Sequence, residues 1–328
     1  MDGLRYAVGG SPISHTLSPI LFNLVLAHMR HKGHLSQLNA LSVTNLETNH
    51  IDELLGWAYI EHNKNQPTWA PAQKNLRTFQ SQLQHRASSI IHLEAHDGLV
   101  AKMETPERIF SSFQLPDRSS SSEVWLNLTA PLKHQIQSMV FSPIDEAIDI
   151  LSVNTLRYTG QGWYCATTDG HAIVHTAYHF GIDVSKGALL GINGGGGAAR
   201  SVASAWIKSG GKVVSLGGKR QLPATLANTK SGNDANFDLV FDAEGSLKAD
   251  PNSKYILNPI YSPLKGSLEE RFDHLLPDLS QIDGRWMLAA QHLESWRSLW
   301  APDISQNLPS LEQLMTWLIS MEHKLEEN

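Results

Sequence analysis

Short apolar runs that break into glycine or small polar residues recur along this chain. Tyr6-Ala7-Val8, Val124-Trp125-Leu126, Trp163-Tyr164-Cys165, Ala188-Leu189-Leu190-Gly191-Ile192, Lys212-Val213-Val214-Ser215-Leu216 and Asn236-Phe237-Asp238-Leu239-Val240-Phe241 read as strands. Leu38-Asn39-Ala40-Leu41-Ser42-Val43 reads as a further strand, with a helix starting at Ile51-Asp52-Glu53-Leu54-Leu55. Strands that give way to helix-starting residues predict an α/β fold, in which working side chains stand at the strand ends.

A chain of 328 residues exceeds what one core usually serves, so two α/β domains are expected. Hydrophobic residues make up 41% of it, and no stretch approaches the roughly 18 apolar residues of a membrane span. Met1-Asp2-Gly3-Leu4-Arg5 runs directly into a strand without a basic and then a long apolar region, so no secretion signal is expected. The single cysteine, Cys165, excludes an internal disulfide framework and suits a reducing cytoplasm. A formal charge of −6 gives no footprint for nucleic acid, which leaves a small ligand.

The strand ending at Ile192 is followed by Asn193-Gly194-Gly195-Gly196-Gly197-Ala198-Ala199-Arg200 and a helical run to Lys208. Glycines let the backbone turn sharply and approach a pyrophosphate, and the helix start offers unpaired N–H groups to it. Gly194, Gly196, Gly197 and Ala198 are therefore candidate dinucleotide contacts. The next strand ends in Gly217-Gly218-Lys219-Arg220, where a site for NAD would carry an acidic residue for the ribose hydroxyls. Lys219 and Arg220 suit the extra phosphate of NADP, which is the expected cofactor.

Two other strand ends carry candidate chemistry: Asn127-Leu128-Thr129-Ala130-Pro131-Leu132-Lys133 and Thr167-Thr168-Asp169-Gly170. A lysine beside a carboxylate can hydrogen-bond a substrate hydroxyl or carbonyl and pass a proton. A surface lysine and a helix-capping aspartate that never meet is the plainer alternative.

These segments fall in a fixed order: Gly10-Ser11-Pro12-Ile13-Ser14-His15-Thr16-Leu17-Ser18-Pro19, then Asn127 to Lys133, then Val153-Asn154-Thr155-Leu156, then Thr168-Asp169-Gly170, then Tyr261, then Gly284…Met287-Leu288…Gln291. Together they resemble the shikimate dehydrogenase family. The resemblance implies Thr16 and Ser18 as hydroxyls for the substrate carboxylate, and Lys133 and Asp169 as the catalytic residues. Asn127, Thr129, Asn154, Tyr261 and Gln291 would be substrate contacts, and Gly284 and Met287 would join the cofactor site. The implied reaction is the NADPH-dependent, reversible reduction of 3-dehydroshikimate to shikimate in aromatic amino-acid biosynthesis, by a cytoplasmic monomer or homodimer. An NAD-linked quinate/shikimate dehydrogenase and a catalytically silent shikimate-binding regulator stand as alternatives. A polyhydroxylated anion needs hydroxyl and amide partners of this kind in a partly dry pocket.

The expected division is a substrate domain over 1–170, an NADP-binding Rossmann-like domain over 171–283, and C-terminal helices over 284–328 returning to the substrate domain, with the active site in the cleft between domains. The chain also departs from the family. Extra material is expected at about 58–120, including the serine tract Ser119 to Ser122, as a lid, an oligomer contact or a surface excursion, of which its length favours the last. Asp242-Ala243-Glu244-Gly245 replaces a neutral turn, and two carboxylates there would repel a polyanionic cofactor. Asn258 stands where an aspartate precedes the tyrosine motif, and Thr16 where serine is usual. His171, His175 and His179 share a helix face, but no acidic or thiol partner is fixed by spacing, so no metal is expected. His28, His31 and His34 are expected in solvent, and Cys165 in the core.

Overall fold

The computed structural model describes residues 3–36, 40–60, 76–106, 115–118, 123–136, 140–229, 235–247, 252–276 and 280–326. In chain order the elements are β1 (Leu4–Gly10), α1 (Ser18–His31), β2 (Ala40–Glu47), α2 (Ile51–Ile60), α3 (Leu76–Ile90), β3 (Glu123–Leu128), β4 (Phe141–Pro143), β5 (Thr155–Tyr158) and β6 (Trp163–Ala166). They continue with α4 (Asp169–His179), β7 (Leu189–Asn193), α5 (Gly197–Lys208), β8 (Lys212–Gly217), β9 (Leu239–Asp242), β10 (Ile256–Leu257), α6 (Leu268–Leu275), β11 (Gln281–Ile282), α7 (Gly284–Ser295) and α8 (Leu311–Glu326). The chain divides into two compact units, one of residues 1–94, 109–167 and 295–328 and one of residues 95–108 and 168–294.

The first unit is built on a sheet of order β2-β1-β3-β5-β6-β4, in which β5 runs against both neighbours. Side chains alternate across β3 with the period of two that a strand imposes. Val124, Leu126 and Leu128 join Leu54 and Trp57 of α2 in one core. Trp125, on the opposite face, stacks on Trp300 at 5.5 Å and meets Phe22 and Trp296 edge-on. Each such ring removes roughly 150–250 Å² from water, so this aromatic layer is a principal source of the unit's stability. At the start of β3 the buried Glu123 takes Arg157 Nε at 3.0 Å, Arg157 Nη2 at 3.1 Å and Trp125 Nε1 at 2.8 Å.

Part of the region expected as a surface excursion belongs to this core. Leu83, Ala87 and Ile90 of α3 are buried, Gln80 donates to Asn23 of α1 at 3.2 Å, and Trp317 of α8 donates to the Leu93 carbonyl at 2.8 Å. The expectation failed because α3 is polar on average and hides a narrow apolar face. Residues 61–75, 107–114 and the serine tract lie outside the described residues, as do Leu38 and Asn39 at the expected start of β2.

The second unit holds a parallel sheet of order β11-β10-β9-β7-β8. The chain enters at β7, pairs β8 on one side and β9 on the other, which creates a topological switch point at the end of β7. The unit also takes in residues 95–108: Lys102 N donates to the His179 carbonyl at 2.8 Å and its Nζ to the Tyr255 hydroxyl at 3.3 Å, while His96 stacks on Phe272 at 4.2 Å. Trp286 of α7 lies 4.3 Å from the His179 ring and 5.3 Å from that of Phe180. The second unit runs to residue 294 and takes in residues 95–108, whereas the sequence suggested a division at 284. Among the described residues no helix is long and apolar enough to cross a membrane.

Candidate active site

In the first unit, Asn127, Thr155 and Ala166 pair across β3, β5 and β6, and Gly9 of β1 pairs Leu128. The residues after β1, β3 and β6 and those before β5 therefore share one sheet edge. The loops there are tied together: Thr129 N donates to the Gly9 carbonyl at 2.9 Å, Ser11 N to that of Ala130 at 2.9 Å, and Val153 N to that of Lys133 at 2.9 Å. Thr16 and Ser18 are buried, and Thr16 Oγ1 accepts from Ser18 N at 3.3 Å at the start of α1. Lys133 lies half-buried on the single 3-10 turn Leu132–His134. Thr129, Lys133, Asn154, Thr16 and Ser18 thus gather on one edge.

Asn127 is 2% exposed, and its carboxamide is held by the protein itself. Tyr6 donates its hydroxyl to Asn127 Oδ1 at 2.9 Å, while Nδ2 donates to Ser295 Oγ at 3.3 Å and Thr155 Oγ1 at 3.4 Å. Thr155 Oγ1 lies 3.0 Å from Ser295 Oγ and donates to Asn154 Oδ1 at 3.3 Å. Sequence reasoning did not find Tyr6, Thr155 and Ser295 as the shell that orients the two asparagines. Tyr6 was legible only as a strand residue, its pairing with Trp125 appearing in the structure, and nothing local marks Ser295. The exit from β6 is fixed in the same way, by the Asp145 carboxylate on Thr167 N at 2.9 Å.

In the second unit, Asp169 opens α4 and is 1% exposed. The next residue explains why a glycine follows: Gly170 N donates to Ser201 Oγ of α5 at 2.8 Å, and a Cβ at 170 would stand 2.1 Å from the Ser201 carbonyl oxygen. The helix that presents Asp169 is thereby locked onto the helix that follows the glycine turn. Gly194 adopts a φ of +114°, favoured by glycine, and donates to the Gly217 carbonyl at 2.8 Å. A Cβ at Gly196 would meet nothing within 4 Å, so the space before the N-terminus of α5 is open. Lys219 and Arg220 are exposed beyond β8, and Gly197 and Ala198 are half-buried at the helix start. The open glycine turn, the helix N-terminus and the two cations fit a dinucleotide phosphate group.

The expected repulsion at the turn after β9 does not hold for Asp242. Its carboxylate is 1% exposed, accepts from Asn193 Nδ2 at 2.7 Å, Leu247 N at 2.7 Å and Glu244 N at 3.3 Å, and so fastens the turn from within. Glu244 does reach the end of β8, where it accepts from Lys219 N at 2.7 Å. Tyr261 is half-buried with the Arg285 guanidinium 5.2 Å from its ring centre. Gly284 packs against main chain, since a Cβ there would lie 2.7 Å from the Asn258 and Pro259 oxygens. Met287 is buried and Gln291 half-buried on the same helix.

His28 and Cys165 are core residues. His28 is buried, contrary to the expectation of solvent, because its Nε2 meets the Asn307 carbonyl at 3.0 Å and its ring lies 5.2 Å from Trp317. His31 is exposed and His34 half-buried. His175 stands 3.6 Å from Glu294, an acidic neighbour that spacing could not reveal, yet no group of three ligating residues capable of holding a metal occurs among the described residues. Burial pushes the Cys165 thiol up to about 12, which suits an inert core residue.

Comparison with known proteins decides the architecture. A solved shikimate dehydrogenase from Aquifex aeolicus superposes with a TM-score of 0.57 at 17% identity, covering 99% of this chain and 98% of that one. The fold is that of the shikimate dehydrogenases. A shikimate 5-dehydrogenase from Thermus thermophilus, solved in complex with NADP(H) and shikimate, gives a TM-score of 0.55 at 19% identity over 98% of this chain and 99% of that one. In sequence, the chain is 30% identical over 138 residues to the NADP(+) shikimate dehydrogenase of Anaeromyxobacter sp. (strain Fw109-5), a match spanning 42% of this chain and 48% of that relative. No family model matches the chain.

Proposed function

We propose that this chain is an NADP-dependent shikimate dehydrogenase that reduces 3-dehydroshikimate reversibly to shikimate. The observation that carries the reading is the gathering of Thr16, Ser18, Thr129, Lys133 and Asn154 on one sheet edge, in a chain similar in sequence to an NADP-linked shikimate dehydrogenase. Thr16 and Ser18 hold the substrate carboxylate through their hydroxyls, and Thr129, Asn154, Asn127, Tyr261 and Gln291 take its ring oxygens. Gly194, Gly196, Gly197 and Ala198 would hold the dinucleotide phosphates, Lys219 and Arg220 the additional phosphate, and Gly284 and Met287 complete that site. Bound there, the nicotinamide supplies the hydride. Lys133 donates a proton to the substrate oxygen that becomes the hydroxyl, and in the reverse direction takes it back, while Asp169 holds that hydroxyl and the ammonium in position.

One observation favours a second reading: Glu244 sets a carboxylate at the end of β8, where a site for NAD carries one. Absorbance at the reduced-nicotinamide band, with shikimate or quinate and with NADP or NAD, separates the readings. Reduction of NADP by shikimate is the expected result. Faster reduction of NAD, or oxidation of quinate, would favour the alternative, and silence in every combination with shikimate still bound in calorimetry would favour a regulator.

A further inference from the structure

Beyond β8 the main-chain N–H of Lys219, flanked by the exposed Lys219 and Arg220 side chains, makes a seat for an anion. That seat is taken by the chain itself. Glu244 Oε1 accepts from Lys219 N at 2.7 Å, a Cβ at Gly218 would stand 2.8 Å from the same oxygen, and a Cβ at Gly194 would stand 3.3 Å from Glu244 Cγ. The carboxylate therefore lies across the switch point, between the glycine turn and the end of β8. Asp242, two residues earlier, is turned inward and cannot substitute for it.

In a switch-point site the adenosine ribose lies beyond the end of the second strand. A ribose bearing a free 2′-hydroxyl can donate to a carboxylate there. A 2′-phosphate is itself an anionic acceptor, so it gains nothing from the carboxylate and competes with it for the Lys219 N–H. We propose that Glu244 is a specificity-determining residue of the nucleotide site, an internal carboxylate that a 2′-phosphate must displace and a 2′-hydroxyl need not. The inference rests on reading the second unit as a nicotinamide-dinucleotide domain. It means that the preference for NADP conferred by Lys219 and Arg220 is held in check by Glu244, and that the turn after β9 moves when NADP binds.

The test is calorimetric titration of the full chain and its Glu244→Ala and Glu244→Gln variants with 2′,5′-ADP and with 5′-AMP, which differ by the phosphate in question. Glu244→Gln keeps an acceptor for the Lys219 N–H without the charge, so it guards against a collapsed turn. Both variants are expected to bind 2′,5′-ADP about tenfold more tightly than the parent, with 5′-AMP unchanged or weaker. An unchanged ratio of the two affinities in both variants would overturn the role of Glu244 and leave the dinucleotide reading standing. Failure of either nucleotide to bind any of the three proteins would overturn the dinucleotide reading, and this inference with it.

Discussion

Gly170 and Ser201 are joined so closely, 2.8 Å from main-chain nitrogen to hydroxyl, that the two helices leave no room for a side chain at 170. Gly170→Ala would drive a methyl group to 2.1 Å from the Ser201 carbonyl oxygen and should lower stability by about 1–3 kcal/mol or more. Ser201→Ala leaves a buried N–H without its acceptor and should cost about 1–3 kcal/mol. Urea unfolding of both variants checks this; midpoints equal to the parent's would mean that the start of α4 is not held there.

Lys133→Ala should lower turnover about 100-fold or more with shikimate affinity nearly unchanged, since proton transfer contributes roughly 10²–10⁴. Steady-state kinetics and calorimetry with shikimate read the two quantities separately. Full turnover in the variant would remove the lysine from the mechanism.

Tyr6→Phe removes the donor that holds Asn127 Oδ1 and leaves the ring packed on Phe22 at 4.1 Å. A freed carboxamide in a buried site should cost about 1–3 kcal/mol and raise KM for shikimate more than it lowers kcat. A variant with parental KM would show that the orientation of Asn127 is set by the partners of its Nδ2, Thr155, Ser295 and the Asn154 carbonyl.

Arg157→Leu strands the buried Glu123 carboxylate and is expected to destabilise the first unit by about 3–5 kcal/mol. The double variant Arg157→Leu, Glu123→Leu removes both charges and should recover much of that loss. Thermal unfolding of the single and double variants decides between an essential pair and a replaceable one.

Acid should weaken the second unit through its histidines. Burial, then the charges of His175 and Lys102, push the His179 imidazole down to about 4, and burial pushes that of His292 down to about 3. Both are neutral when folded and protonate near 6.5 when unfolded, so their stabilising contribution is complete above about pH 6.5. It declines as pH falls from there, by a few kcal/mol in all by pH 4. Unfolding midpoints between pH 7 and pH 4 should fall less steeply in His179→Phe, which keeps the ring beside Trp286; an unaltered slope would exclude His179 as a source.

The strands and the glycine turn were legible because their apolar runs and their punctuation are local. The sequence suggested a division at 284, whereas the compact unit runs on to 294: α7 looks like the start of a C-terminal segment, yet Trp286 lies beside His179 and Phe180, more than a hundred positions earlier. The misjudged Asp242 shows the same limit. A carboxylate near a phosphate site reads as repulsive until Asn193 and the Leu247 N–H are seen to consume it. Lys133, Asn154 and Thr16 could be marked as candidates from their segments, but only the antiparallel course of β5 puts Asn154 at the same edge as the others.

The path of the chain between its units governs the order in which they can mature on the ribosome. It leaves one unit for the other after residues 94, 108, 167 and 294. Trp296 and Trp300, which close over Trp125, are therefore translated only after all of residues 168–294, a delay on the order of ten seconds at ordinary elongation rates. Until they emerge, Trp125 of β3 lacks the two rings that meet it from the C-terminal segment and has Phe22 as its aromatic neighbour. The second unit has by then received its full complement of residues, so the unit that holds β1 is the one that finishes second.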